Sequence, residues 1–278
     1  MDNRRARCRR FLAKLLLVLS LATPSLALPA HPAGADATGD LYKTTVIVTG
    51  YDMRSRPSGF ARALREVLVK LSGEPRLDLD PRVGELSIHA DQLVTKFDYV
   101  DQMAGIKVHD DQGTYDRPYN LTVVFDPGKI DAALADLGEH SWLGERPVIV
   151  PVLAVERVTK SYLLSAENPT GADQAGSLAT IAQDVAMTVR IPTEAELARW
   201  GVSMGGFPSP KVTSTPDQAV VAGTLEFREE LPGWVGSWHL RWHGTDYAWS
   251  ISGVNFDDAF RDLVRGVMRV ASGHDGPT

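Results

Sequence analysis

Apolar and polar residues recur with two different periods in the first half of the chain, and each period predicts one kind of element. Between Ser58 and Gly73 the apolar residues have the spacing of one helical face, and the glycine stands where helices commonly end. Between Tyr119 and Phe125 apolar residues alternate with polar ones, as in a strand with one buried face. The predicted elements are a strand through Thr44–Val48, a helix from Ser58, a helix opened by Asp80-Pro81, strands Leu93–Val100 and Tyr119–Phe125, and a helix opened by Asp126-Pro127 and ended by Gly138.

The second half repeats this order of elements. Pro147 precedes an apolar strand, Val148–Val155, and a polar linker runs from Ala166 to Gly176. Thr193 and Glu196 have the spacing of a capping box, in which each side chain bonds the backbone of the other residue at a helix start. The remaining predicted elements are a helix through Leu178 and Val185, strands Ala219–Phe227, Trp238–His243 and Tyr247–Ser252, and a last helix through Phe256 and Val267.

Helices that pack on mostly antiparallel strands predict an α+β fold. We expect two small units, each a mostly antiparallel sheet with helices packed on it. The first unit runs from Leu41 to Trp142 and the second from Arg146 to Ala271, after a signal peptide and spacer over residues 1–37.

The start of the chain has the pattern of an export signal. Five arginines and Lys14 precede the apolar run Leu15–Leu19, which is far shorter than the roughly 20 residues that a membrane-spanning helix needs. Small residues suited to cleavage end at Ala27 and again at Ala37, so the cleavage site stays open. We expect a periplasmic or secreted protein without stable membrane insertion after signal removal; an uncleaved tail is the alternative.

Cysteine usage and charge limit the chemistry of the exported chain. The single cysteine, Cys8, precedes the apolar run, so the mature chain can form no disulfide and offer no thiolate. The net charge is −6, and cleavage after Ala37 would remove six basic and only two acidic residues. An acidic chain without a basic run is not expected to bind nucleic acid or anionic lipid. We find no phosphate-binding glycine loop and expect no cofactor.

Several segments, in order, resemble one known family. They are Ala61–Gly73, Phe97-Asp98-Tyr99, Leu121–Asp126, Trp142 with Arg146-Pro147, and Trp238-His239-Leu240. Over residues 46–270 the chain resembles the uncharacterised proteobacterial family catalogued as domain of unknown function 2066. The resemblance implies an exported protein of the Gram-negative cell envelope and implies no activity.

One motif has the residues of a serine hydrolase. Gly201-Val202-Ser203-Met204-Gly205 matches the nucleophile elbow, which needs a strand, a tight turn and then a helix around the serine. Here a predicted helix precedes the motif and two prolines follow it, so we interpret the segment as a loop. A periplasmic hydrolase using Ser203 remains an alternative.

Two histidines and four tryptophans cluster near the end of the chain. His239 and His243 have a spacing that would suit zinc on a helix, but on the predicted strand they lie about 13 Å apart, too far to share one ion. We expect Trp238 and Trp242 to be core residues and Trp234 and Trp249 to be more exposed. A possible binding surface therefore comprises Trp234, His239, Arg241, His243 and Trp249.

Two acidic patterns are weaker. Asp110, Asp111 and Asp116 lack the alternation of a calcium loop, and we interpret residues 110–117 as a solvated loop. Asp98 and Asp101 could form a carboxylate pair for acid–base catalysis, but no second pair lies nearby, so we interpret them as surface acids. We therefore predict no metal and a non-catalytic binding or assembly-accessory protein, with an envelope protein or polymer as partner. A carbohydrate or peptidoglycan binder that uses exposed tryptophans is a further alternative.

Overall fold

A three-stranded antiparallel sheet forms the first half of the protein. The structure is a computed structural model that describes residues 40–105, 117–205, 207–230 and 232–277. The predicted signal peptide and most of the predicted 110–117 loop lie outside these residues. The strands, in the spatial order β1-β3-β2, are β1 (Lys43–Thr49), β2 (Val94–Asp101) and β3 (Pro118–Phe125), and the helices are α1 (Arg56–Ser72), α2 (Pro81–Ile88) and α3 (Pro127–Leu137).

A five-stranded mixed sheet forms the second half. Its spatial order is β5-β4-β6-β7-β8, and β4 pairs with β6 in parallel while all other neighbours are antiparallel. The fold class is α+β, as predicted. The strands are β4 (Val148–Arg157), β5 (Lys160–Leu163), β6 (Gln218–Arg228), β7 (Gly233–Trp242) and β8 (Thr245–Val254), and the helices are α4 (Ala172–Asp184), α5 (Glu194–Arg199) and α6 (Phe256–Ala271).

Helix ends follow local side-chain chemistry. Asp80, Asp126 and Thr193 each accept a backbone N–H at the start of α2, α3 and α5, which satisfies a donor that the helix itself leaves free. Thr193 and Glu196 form the predicted capping box. Helix α1 begins at Arg56 rather than at the predicted Ser58, because a proline fits the first helical turn.

Both sheets bury one face in a common apolar core. Leu64 and Leu68 of α1, Leu121 of β3, and Trp238 and Leu263 from the second half all belong to this core and are at most 1% exposed. The boundary predicted near residues 142–146 lies between the two sheets along the chain. Because the helix-covered faces of both sheets pack into one cluster, the two predicted units share a single core.

The opposite face of the five-stranded sheet is only partly covered. Val150, Val152 and Val220 point to that face and pack against Leu197 of α5 in a small second core. Val202 and Val212, from the segment that follows α5, pack against the same cluster. Since this cover lies over β4 and β6, the outward face of β7 and β8 stays open. No helix in the described part of the chain is long and apolar enough to cross a bilayer.

Candidate functional site

A groove runs along the open face of the five-stranded sheet beside β7. Its larger part is a cavity of about 450 Å³, and a second cavity of about 260 Å³ shares Thr213, Ser214 and Arg241 with it. Residues 207–216 form one wall, and His239, Arg241 and His243 lie along the other. We call these two cavities together the β7 groove.

Strand periodicity places the polar wall of the groove. Trp238, Leu240 and Trp242 point into the core, so the intervening His239 and Arg241 must point outward. The β7–β8 hairpin then sets Arg241 directly opposite Asp246. The hairpin turn is His243-Gly244, with φ values of 47° and 85°, as a two-residue type I′ turn requires.

The other wall is irregular backbone held at two points. The Lys211 N–H donates to the Trp200 carbonyl at 3.0 Å, and the Val220 N–H donates to the Ser214 hydroxyl at 3.0 Å. The second bond ties this wall directly to β6. The wall is therefore attached to the sheet, and Ser209, Thr213 and Ser214 are among the residues that line the groove.

Charged groups inside the groove are only loosely paired. Asp246 lies 3.5 Å from the His239 Nε2 atom and 3.5 Å from an Arg241 guanidinium nitrogen. The three side chains are about half exposed, and such long, exposed pairs contribute little stability. Their donors and acceptors are consequently available to a ligand. Phe207, which is 47% exposed, adds an apolar ring 6.4 Å from the His239 ring.

The five residues of the predicted binding surface fall on two opposite faces of the sheet. His239, Arg241 and His243 border the groove, whereas Trp234 points into the core and is only 6% exposed. The Trp234 ring packs 5.4 Å from the Phe227 ring. The expectation that Trp234 is exposed was wrong, because it has the same strand parity as the buried Trp238.

Trp249 also lies on the covered face. It stands directly opposite Trp238 in the β7–β8 register and packs against α6 at Gly266. The Trp238 indole donates to the Asp262 carboxylate of the same helix at 2.9 Å. Burial raises the pKa of Asp262, and the Trp238 N–H offsets part of that rise. The two tryptophans on this side therefore anchor α6 rather than line the groove.

Ser203 lies outside the groove, in a setting unlike a nucleophile elbow. It is exposed between Gly201 and Gly205, whose φ values are 71° and 102°, and it follows the short helix α5 rather than a strand. Irregular backbone continues from residue 207 to residue 214. Within the described residues, no hydrogen bond joins Ser203 to a histidine. Ser203 therefore lacks the strand–turn–helix geometry that the motif requires.

Asp98 and Asp101 do not form a carboxylate pair. Their positions in β2 have opposite parity, so they face opposite sides of the sheet. Asp101 accepts from the Met103 N–H and pairs with Arg117 at 2.8 Å, and both contacts lower its pKa. Asp101 thus joins the end of β2 to Arg117, which directly precedes β3.

The predicted surface did not include Asp246 or any residue of the irregular wall, such as Phe207. Asp246 could have been found, because a two-residue turn at His243-Gly244 places it opposite Arg241. Phe207 carries no such signal, since it lies in an irregular segment whose position depends on packing far from it in sequence.

Comparison with known proteins gives one family-level similarity. Residues 35–143 match the model of a family described as Domain of unknown function (DUF8605). This is a different family from domain of unknown function 2066, so that resemblance was wrong; an amphipathic helix that ends in Ser-Gly is too general a feature to separate the two. No curated protein and no solved structure matches the chain significantly. The matched segment ends before β4, so the β7 groove lies outside it.

Proposed function

We propose that this chain is an exported, non-catalytic binding or assembly-accessory protein of the cell envelope, and that it contacts its partner through the β7 groove. The observation that carries this proposal is the loosely paired set formed by His239, Arg241 and Asp246 beside the exposed Phe207 ring. Such a surface offers a guanidinium, an imidazole and hydroxyl groups together with one apolar face.

The ligand chemistry that fits this surface is a hydroxyl-rich polymer that carries carboxylates. A carboxylate can take two parallel hydrogen bonds from Arg241, and a sugar ring can stack its apolar face on an aromatic ring such as Phe207. Peptidoglycan has both groups. The groove beside Phe207 therefore replaces the carbohydrate site expected at exposed tryptophans, because Trp234 and Trp249 lie on the core side of the sheet.

Binding can be tested by calorimetric titration of the purified protein with a disaccharide tetrapeptide from peptidoglycan. A hydrogen bond to a charged group contributes about 1.5–3 kcal/mol, so we expect Arg241→Ala to weaken binding by roughly tenfold or more. Arg228→Ala is the matched control, because Arg228 is an exposed arginine of the same sheet that pairs with Glu226 outside the groove. Absence of binding by the unaltered protein, or equal losses in both variants, would contradict a glycan ligand.

A protein partner requires a second experiment on the same surface. A photo-crosslinking amino acid at position 241 should capture a partner in intact cells, whereas the same amino acid at position 228 should not. If neither the glycan titration nor the crosslinker distinguishes the two positions, the groove is not the contact surface.

Export can be tested apart from binding. Residues 1–39 fused to alkaline phosphatase without its own signal should give an active enzyme, because that enzyme folds only outside the reducing cytoplasm. Replacing Leu16 by Arg interrupts the apolar run and should abolish the activity. Equal activity of both fusions would contradict the export signal.

A further inference from the structure

Three side chains with metal-binding atoms meet at a place that shares no residue with the β7 groove. Glu74 follows α1, Glu139 follows α3 and His274 follows α6, and their ligand atoms all lie within 4.8 Å of one another. The His274 Nε2 atom is 3.0 Å from a Glu139 oxygen and 4.0 Å from a Glu74 oxygen. All three side chains are largely buried, with exposures of 7% for Glu74, 20% for Glu139 and 15% for His274.

Both ring nitrogens of His274 have polar neighbours, and Ser272 lies beside Nδ1. The Ser272 hydroxyl lies 2.9 Å from Nδ1 and also within hydrogen-bond distance of the Arg269 and Gly73 carbonyl oxygens. When Ser272 donates its proton to one of these carbonyls, its oxygen accepts from Nδ1–H. In that tautomer the Nε2 lone pair faces the Glu139 carboxylate, and a cation bound by both atoms would stabilise the arrangement.

Orientation of this kind is characteristic of histidines that bind metal ions. A metal-binding imidazole usually donates its other N–H to a neighbouring acceptor, which fixes both the tautomer and the ring plane. Ser272 is in the position of that acceptor, 2.9 Å from Nδ1. Ligand atoms of a tetrahedral zinc ion lie about 3.3 Å apart, given bond lengths near 2.0–2.2 Å. The distance from His274 Nε2 to Glu139, 3.0 Å, is shorter than that value, and its distance to Glu74, 4.0 Å, is longer.

Arg269 lies beside the cluster and pairs with one of its two carboxylates, that of Glu74. Its Nε–H lies 3.0 and 2.9 Å from the two Glu74 oxygens, and the Arg76 N–H also donates to Glu74. One of the two negative charges is thereby balanced. Within the described residues, no arginine or lysine pairs with Glu139, whose contact in the cluster is the His274 ring.

We infer that Glu74, Glu139 and His274 form a binding site for a divalent transition-metal ion of the zinc type, with water as a fourth ligand. One nitrogen and two carboxylate ligands suit zinc, whereas magnesium prefers a full set of oxygen ligands. The ion would join the ends of α1, α3 and α6. It would therefore stabilise the contact between the C-terminal segment and the first half of the chain.

The test is a calorimetric titration of the untagged protein with zinc chloride and, separately, magnesium chloride. The unaltered protein should bind one zinc ion per chain and should not bind magnesium. His274→Ala and Glu139→Gln should abolish zinc binding, and Ser272→Ala should weaken it by roughly 10–100-fold because it removes the partner that orients the ring. His140→Ala is the matched control, since His140 is an exposed histidine adjacent to Glu139 and should leave binding unchanged.

A structural measurement keeps the inference testable if a variant fails to fold. Crystals of the unaltered protein soaked in zinc should give an anomalous scattering peak between Glu74, Glu139 and His274. The inference is overturned if the unaltered protein binds no zinc, if the peak lies elsewhere, if His274→Ala or Glu139→Gln binds as tightly as the unaltered protein, or if His140→Ala removes binding.

Discussion

Gly266 and Gly176 offer a test of how closely α6 approaches the five-stranded sheet. Both glycines are in helix interiors, where alanine is favoured by about 1 kcal/mol. A Cβ atom at Gly266 would lie 2.6 Å from two ring carbons of Trp249 and 2.8 Å from its indole nitrogen. At Gly176, a Cβ atom would have no neighbour within 4 Å. The same substitution should therefore have opposite effects at the two sites.

The expected magnitudes follow from the balance of helix propensity and packing. Overpacking costs typically 1–3 kcal/mol, and three contacts below 3.0 Å place Gly266→Ala near the upper limit. After about 1 kcal/mol of improved helix propensity, a net loss of about 2 kcal/mol remains. This corresponds to a fall in Tm of about 4–8 °C for a chain of this size. Gly176→Ala should instead gain about 0.5–1 kcal/mol.

Urea denaturation followed by circular dichroism measures both variants, with an unchanged slope as the check that only stability has changed. A Trp249→Phe substitution removes ring atoms from the contact, so combining it with Gly266→Ala should cost less than the sum of the two single changes. The reasoning is refuted if Gly266→Ala is as stable as the unaltered protein, or if both alanine variants shift in the same direction.

Two further predictions concern buried charges. Arg269→Met leaves Glu74 as an unpaired buried charge and should cost about 3–5 kcal/mol, whereas the double variant Glu74→Leu/Arg269→Met should recover most of that loss in urea denaturation; equal losses in both would contradict a charge-based cause. Burial lowers the pKa of Lys70 from 10.5 to about 8. Because the unfolded chain then holds more protons between about pH 8 and pH 10.5, this residue should make stability rise with pH across that window, by up to about 3 kcal/mol. Lys70→Met should lack that rise, and identical pH profiles for the two proteins would disprove the assignment.

Local signals made the helix ends predictable. A side-chain cap acts on a backbone group two or three residues away, so Asp80, Asp126 and Thr193 could be identified without knowledge of the fold. The left-handed glycines at the ends of α1 and α3 are equally local, with φ values of 73° and 85°. These positions are determined by the neighbouring residues alone.

Pairings between distant segments could not be predicted in this way. Strands β4 and β6 pair in parallel across about sixty intervening residues, and nothing in either strand specifies the other. Strand β5 has only four residues, and α4 begins inside the predicted polar linker. Both are stabilised mainly by tertiary packing, since elements of this length are marginal alone.

The residues of the two candidate sites also divide into those with a local sequence signal and those brought together only by the fold. Strand alternation identified His239 and Arg241 as outward-facing, and the same rule applied to Trp234 would have placed it in the core. The cluster of Glu74, Glu139 and His274 had no sequence signal, because its members lie up to 200 residues apart and meet only after α1 and α6 pack together.

The C-terminal segment has a practical consequence for handling this protein. The Arg269 guanidinium donates to the backbone carbonyls of Asp275 and Gly276, and His274 bonds to Glu139. A polyhistidine purification tag appended there would bring surplus imidazoles next to a natural histidine–glutamate pair and would compete for any added cation. Trimming the final four residues would remove both carbonyl acceptors from a buried arginine. Recombinant versions should therefore retain Asp275 and Gly276 and carry any handle near residue 38, between the expected export signal and the first strand.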